Sequence, residues 1–269
     1  MKIRDAFPRA FQRAYPAIEP EAAMLSVLPL LRFHEIDALP LSFDPGAKPR
    51  GILGYSCLAR IRVMNPDQLA CFLKMPCEQV SEPLATVKAN RTLSMLLNTF
   101  LRERFGFARI EEGRGVGALV TLSDVLELYE TDAIDTELSL ADVASTVYSM
   151  PKESALRDVL DAMFKRRYRR IFVSGTHAYV WDRSIIEHIF SPSVLAELAG
   201  SAPKDVLSMP ISQIESTAAE EVDPTMKLGD AAHKLKAEHG QCLVFDGKVV
   251  TPWDVVMKPW KSKNLRIAR

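Results

Sequence analysis

Cysteine is scarce in this sequence: four residues in 269. Cys57, Cys71, Cys77 and Cys242 follow no zinc-type spacing and are too few for a disulfide framework, so buried free thiols in a reducing compartment are expected. The five histidines are scattered, with no two at a ligand spacing, and no metal site is expected. No charge of either sign is in excess, since 34 basic residues balance 34 acidic ones, which argues against a nucleic-acid partner. Long apolar runs are missing as well. The longest, near Met24 to Leu31, is too short to span a bilayer. The opening Met1-Lys2-Ile3-Arg4-Asp5 lacks an apolar signal core, so a cytoplasmic protein with no membrane partner is the expectation. No nucleophile–base pair stands out, and no catalytic residue is assigned.

What is present is ordinary globular material, 48% apolar and 25% charged, in a chain long enough for two compact domains. Phe7, Phe11 and Tyr15 recur at four-residue spacing, which predicts one helical face packed on the body. A pattern then occurs four times. Stripes at Met24, Val27, Leu28 and Leu31, at Leu93, Leu96, Leu97, Phe100 and Leu101, at Leu156, Val159, Leu160, Met163 and Phe164, and at Leu228, Ala231, Ala232 and Leu235 predict helices. Pro29 predicts a kink or a late start in the first. After each stripe come two short strand-like runs around a turn: Ile36–Leu41 and Gly51–Leu53 around Asp44-Pro45-Gly46, Phe107–Ile110 and Gly117–Val120 around Gly113, Arg170–Val173 and Ala178–Val180 around Gly175, and Gln241–Phe245 and Lys248–Val250 around Asp246-Gly247. Asp-Gly between two such runs is a strong hairpin signal. A second helix follows each hairpin. The landmarks Gly54, Thr121, Trp181 and Thr251 recur at roughly 60–70-residue intervals, a fixed period that marks an internal repeat. The polar stretch Glu130–Glu137 falls near the midpoint and predicts the join between two paired modules. The basic tail from Lys258 to Arg269 is expected to be a frayed terminus.

Two of the repeats turn from strand to helix through Thr-x-x-Asp: Thr121-Leu122-Ser123-Asp124 and Thr251-Pro252-Trp253-Asp254. On its own this is a capping box, and Pro252 suits the first helical position. A helix N-terminus also offers unpaired N–H groups and a partial positive charge to phosphate, and a carboxylate one turn in can accept bonds from two vicinal hydroxyls. The first repeat has Gly54 and Cys57 where threonine and aspartate are expected, and the third has Trp181 and Ser184. Only the even repeats carry the carboxylate. Lys165–Arg170 is the one dense charge run, which on its own reads as a solvated helix end.

A β-α-β-β-α unit of this length, occurring in pairs, resembles the cystathionine-β-synthase (CBS) domain family, in which two domains form a Bateman module. The resemblance rests on Ser149-Met150-Pro151-Lys152 and Val222-Asp223-Pro224 before the opening helices, on Ala38-Leu39-Pro40-Leu41 and Arg169–Val173 as the strand, and on Gly117–Asp124 and Lys248–Asp254 as the closing motif. It covers nearly the whole chain. It implies an α+β fold of four repeats in two tandem modules, the first over 1–133 (repeats about 17–66 and 78–131), the second over 134–269 (repeats about 138–195 and 205–260).

The resemblance further implies a non-catalytic regulatory module that binds an adenine nucleotide (AMP, ADP or ATP) and signals to a partner protein, with a homodimer through the modules as one expected assembly. Asp124 and Asp254 would hold ribose, Thr121 and Thr251 the ribose–phosphate junction, and Arg169 and Arg170 the phosphates of the nucleotide at Asp254. Arg104 and Arg109 are weaker candidates in the first module. Adenine would lie near Thr86-Val87 and Val222-Asp223. The alternatives are a ligand-free scaffold whose boxes only cap helices, or a binder of another adenosyl ligand such as S-adenosylmethionine.

Overall fold

The computed structural model describes residues 1–13, 18–33, 38–41, 48–113, 115–198, 205–237 and 241–268. Asp44-Pro45-Gly46, Tyr15, Ile36 and Arg114 lie outside the described residues. Within them the repeat is seen four times as an opening helix, an antiparallel hairpin and a closing helix. Repeat 1 has Met24–Phe33, Ala38–Pro40, Arg50–Leu53 and Gly54–Ile61. Repeat 2 has Leu93–Glu103, Phe107–Glu112, Gly115–Thr121 and Leu122–Glu130. Repeat 3 has Leu156–Arg166, Arg170–Val173, Ala178–Trp181 and Asp182–Ile189. Repeat 4 has Leu228–Ala237, Leu243–Phe245, Lys248–Val250 and Pro252–Lys261.

Local chemistry accounts for most of these boundaries. The stripes Leu93, Leu96, Leu97 and Phe100, and Leu156, Val159, Leu160 and Met163, are buried. Both of those helices stop at an arginine in the left-handed conformation, Arg104 and Arg167, each at φ 60°. Asp246 and Gly247 both have positive φ, as a two-residue hairpin turn of the I′ kind requires. The opening helix of repeat 1 starts at Met24 and runs through Pro29, which lies past the first turn and so forfeits the bond its N–H would have given to the Leu25 carbonyl.

Short lead-in strands tie the repeats in pairs. Thr86–Lys88, Ser149–Met150 and Glu220–Glu221 each run parallel to the first hairpin strand of their own repeat. Just before them, Glu82–Pro83 pairs with the Arg50–Leu53 strand of repeat 1, Ser145–Thr146 with the Lys248–Val250 strand of repeat 4, and Thr217–Ala218 with the Ala178–Trp181 strand of repeat 3. Each thereby covers an edge strand that would otherwise present unpaired backbone groups. The crossing at repeat 1 is tight: a Cβ on Gly51 would lie 2.6 Å from the Leu39 carbonyl oxygen and 2.9 Å from Leu84. In repeat 2 the place beside Gly115–Thr121 is taken by the N-terminal Ala10–Gln12 turn.

Helices join the repeats in a different pairing. The helices of repeats 1 and 3 share one core, with Leu28, Leu58 and Ile61 packed among Leu160, Ile185 and Ile189; Phe107 and Leu119 of the repeat 2 hairpin turn into it. Repeats 2 and 4 share another, with Leu126 and Leu97 among Leu235, Val255 and Val256. A smaller cluster of Phe172, Tyr179, Trp181, Cys242, Val244 and Val249 lies between the sheets of repeats 3 and 4. Each fully buried side chain of this size contributes roughly 1.5–3 kcal/mol.

Two terminal expectations are corrected. Residues 3–12 do not form one helix: Ile3–Ala6 makes a single turn, Phe7 leaves it, and Ala10–Gln12 is a separate 3-10 turn. Pro8 is the cause, since the residue before proline is driven out of helical conformation. Ile3, Phe7 and Ala10 still anchor the segment in the repeat 2/4 core. The C-terminal tail is not frayed over the described residues, because Arg266–Ile267 pairs antiparallel with Ile134–Asp135 in the polar midpoint stretch.

Candidate functional site

The two Thr-x-x-Asp motifs sit at the strand-to-helix turns of repeats 2 and 4. Thr251 is extended, Pro252 opens the helix, and Asp254 is buried at 4% exposure. Asp254 Oδ2 accepts from the Thr251 amide at 2.9 Å and from Thr251 Oγ1 at 2.7 Å. Its Oδ1 turns the other way, toward repeat 3, where Ser145 Oγ donates at 3.1 Å. Lys258 Nζ, one turn along the same helix, reaches Asp254 Oδ1 and Ser145 Oγ, each at 2.9 Å, and also donates to the Val143 carbonyl.

Repeat 2 has the same inner half. Asp124 is 3% exposed, and its Oδ2 accepts from the Thr121 amide at 2.7 Å and Thr121 Oγ1 at 3.0 Å, while the Asp124 amide donates back to Thr121 Oγ1 at 3.4 Å. The outer half differs. Asp124 Oδ1 is held by the Arg13 guanidinium from the N-terminal segment. The residue one turn on, equivalent to Lys258, is the buried Leu128.

The odd repeats place other groups here. In repeat 1 the cap is Leu53 and the third helical residue Ser56, one position earlier than Gly54 and Cys57, because Gly54 already has helical conformation. Ser56 Oγ donates to Glu82 Oε2 at 3.0 Å, and Arg60, one turn on, lies 4.0 Å from Glu82 Oε1. This is the repeat 4 arrangement with the carboxylate moved from the helix to the lead-in strand: Ser56, Arg60 and Glu82 stand where Asp254, Lys258 and Ser145 stand. In repeat 3, Ser184 Oγ accepts from the Trp181 amide at 3.1 Å and donates to the Trp181 carbonyl at 3.0 Å. A carboxylate is present there after all, one position into the helix. Asp182, 2% exposed, is held by Arg169 Nε at 2.8 Å and an Arg169 terminal nitrogen at 2.6 Å.

Arg169 is therefore engaged with Asp182 on the side facing repeat 1. Burial raises the pKa of Tyr55 there, Asp182 adds to the rise, and the charges of Arg169, Arg62 and Arg167 oppose it. Arg170 points to the other side. Its guanidinium lies 5.9 Å from the Tyr179 ring centre and 5.7 Å from that of Trp181. Burial pushes the Cys242 thiol, between the repeat 3 and 4 sheets, up; the Arg170 charge pulls against this and the Asp254 charge adds to it. Arg104 is a helix cap, and Arg109 lies 3.6 Å from Glu111. The Thr86–Lys88 segment is a parallel lead-in strand, and Val222 follows another, its amide donating to the Val244 carbonyl at 3.0 Å. Among the described residues no cluster of three or more His, Cys, Asp or Glu is placed to hold a metal ion, and no helix is long and apolar enough to cross a membrane.

Sequence reasoning missed Arg13, Ser145, Lys258 and Asp182. Lys258 was accessible, since a cation four residues after an aspartate on a helix is a recognised pair. Arg13 and Ser145 lie 111 and 109 residues from their aspartates, and no local spacing signals them.

No family model matches the chain, and no curated protein is significantly similar to it in sequence. Solved structures do match. Protein MJ1225 from Methanocaldococcus jannaschii, proposed as an archaeal homologue of g-AMPK, superposes with a TM-score of 0.79 over 98% of this chain and 100% of its own, at 16% identity. Shorter matches include the CBS domain of a bacterial CNNM/CorC-family Mg2+ transporter in complex with ATP, at a TM-score of 0.38 and 23% identity over 47% of this chain and 85% of that one. CBSX2 in complex with AMP matches at a TM-score of 0.39 and 15% identity over 49% of this chain and 97% of its own. Four helix–hairpin–helix repeats, their exchanged lead-in strands and the full-length superposition together show that this chain has the fold of tandem cystathionine-β-synthase domains.

Proposed function

We propose that the chain is a non-catalytic regulatory protein that binds adenine nucleotides in the clefts at Asp254 and Asp124 and passes their occupancy to a partner protein. The modules divide near residues 133 and 134, with repeats 1 and 2 in one and repeats 3 and 4 in the other. One observation carries this reading. A capping box needs one carboxylate oxygen, yet Asp254 and Asp124 each spend Oδ2 on the cap and aim Oδ1 outward, toward a segment of another repeat or of the N-terminus. An oxygen placed this way can accept from a ribose hydroxyl. Lys258 beside Asp254, and Arg170 over the Tyr179 and Trp181 rings of the adjoining repeat, supply positive charge suited to phosphate, and a cationic adenosyl ligand such as S-adenosylmethionine would suit them poorly. The full-length likeness to a protein proposed as a g-AMPK homologue supports the same reading.

Thermal unfolding of the full chain with AMP, ADP, ATP, GTP and S-adenosylmethionine tests it. A nucleotide at 100 times its dissociation constant adds about 2.7 kcal/mol, several degrees in melting temperature. Asp254→Asn should remove most of that shift and Arg170→Met part of it, and neither AMP nor ATP should be turned over. A flat response to the whole panel overturns the proposal.

A second reading is favoured by the saturation of both carboxylates: Ser145, Lys258 and Arg13 already occupy the outward oxygens. On that reading the chain is a scaffold without ligand, and Thr251→Ala costs about 1 kcal/mol of stability with no effect on any nucleotide.

A further inference from the structure

The outward oxygens of Asp254 and Asp124 are satisfied in chemically different ways. At Asp254 the partner across the cleft is a hydroxyl, that of Ser145, and the cation Lys258 belongs to the same helix. A ribose entering there exchanges one hydroxyl for another, and the resident cation stays. At Asp124 the helix offers no cation, because Leu128 stands in the place of Lys258. The positive charge comes from Arg13, at the end of a segment whose anchors lie well back along the chain. Ile3, Phe7 and Ala10 are buried, the Ile3 amide donates to the Arg91 carbonyl at 2.8 Å, the Arg4 amide to the Ala89 carbonyl at 3.1 Å, and the Leu93 amide to the Met1 carbonyl at 3.2 Å. The Arg13 side chain itself is 42% exposed. A ribose cannot reach Asp124 Oδ1 without moving that guanidinium.

We propose that the N-terminal segment is a built-in competitor at the repeat 2 cleft, so that nucleotide binding at Asp124 and release of Arg13 are one equilibrium. The proposal rests on the nucleotide-binding reading above and gives it an output. Whatever factor the segment takes from the affinity of the nucleotide, the nucleotide takes from the docking of the segment. The segment also belongs to the repeat 2/4 core through Ile3, Phe7 and Ala10, so its release would alter the surface offered to a partner. Removing Arg13 alone leaves a buried carboxylate oxygen without its countercharge, which a pair of ribose hydroxyls relieves. The repeat 4 cleft, where a hydroxyl replaces a hydroxyl, fills first.

Calorimetric titration with AMP and with ATP, on the full chain carrying Asp254→Asn, isolates the repeat 2 cleft. Adding Arg13→Gln should tighten binding at least about tenfold, equivalent to about 1.4 kcal/mol, and adding Asp124→Asn on top should abolish the gain. Limited trypsin digestion is the second readout: ATP should speed cleavage after Arg9 and Arg13 in the otherwise native chain. If Asp124-dependent binding is seen but Arg13→Gln does not change it, the competitor is overturned and the nucleotide reading stands. If Asp254→Asn abolishes all binding with or without Arg13→Gln, the repeat 2 cleft is not a site and the competitor falls alone. If neither the native chain nor Arg13→Gln binds AMP or ATP, both proposals fall.

Discussion

Ser145 Oγ and Asp254 Oδ1 lie 3.1 Å apart across the cleft between repeats 3 and 4, and Lys258 Nζ touches both at 2.9 Å. The three groups form a closed triangle in which the hydroxyl donates to the carboxylate and accepts from the ammonium. Lys258→Met should destabilise the protein by about 1–2 kcal/mol, because it takes the countercharge from a buried carboxylate while the lysine itself is partly screened by water. Ser145→Ala should cost about 1 kcal/mol. The two losses should not add, since both variants open the same triangle. Urea denaturation of the two single variants and the double variant measures the coupling, and strict additivity would show that the triangle does not act as a unit.

Arg169 and Asp182 form an ion pair within repeat 3, with the carboxylate almost wholly buried and the guanidinium one-third exposed. Breaking a fully buried pair from one side costs about 3–5 kcal/mol, so the partial exposure of Arg169 sets the expectation for Arg169→Met at about 2–3 kcal/mol. The midpoint of guanidinium denaturation reads this directly. A change below about 0.5 kcal/mol, typical of surface positions, would mean that the pair is not structural and that Arg169 is kept for a ligand.

His188 lies half-buried near the end of the repeat 3 closing helix, with Nε2 3.1 Å from Met209 Sδ. Burial lowers its pKa below the ordinary value. The folded protein therefore binds a proton less readily than the unfolded chain. The stability tied to this group is fully present above the ordinary value of roughly 6.5 and is lost as pH falls below it, down to the folded pKa, by at most about 1.4 kcal/mol per pH unit. Melting temperature should fall as pH drops below about 6.5, and His188→Gln should flatten that fall. An unchanged slope in the variant would show that another group carries it.

The repeat itself was legible because each unit makes the same three local statements: a stripe of leucines, a turn residue and a second stripe. Leu93, Leu96, Leu97 and Phe100 are all buried as the spacing predicts, and Asp246-Gly247 forms the expected turn. The caps at Thr121 and Thr251 were equally local. What surrounds those caps was not. Arg13 reaches Asp124, and Ser145 reaches Asp254, because lead-in segments cross to a neighbouring repeat, and a crossing leaves no periodic trace in the chain. The Phe7–Phe11 spacing misled for a local reason that was readable, Pro8 between them. In repeat 1 the helix begins one residue earlier than the Thr-x-x-Asp alignment implies; Leu53 caps without a side-chain acceptor, so no cap residue marks the start.

Strands pair repeat 1 with 2 and repeat 3 with 4, whereas helices pair repeat 1 with 3 and repeat 2 with 4. The chain is thus woven along two directions at once. Severing it in the polar midpoint would yield two halves that each keep their own sheets and each bare one side of two cores. Such halves expose apolar faces that are buried in the intact chain, and each carries the surface that fits the other. Mixed, they should rebuild the intact molecule, and the strength of that reassembly is a direct gauge of how firmly one half feels a change in the other.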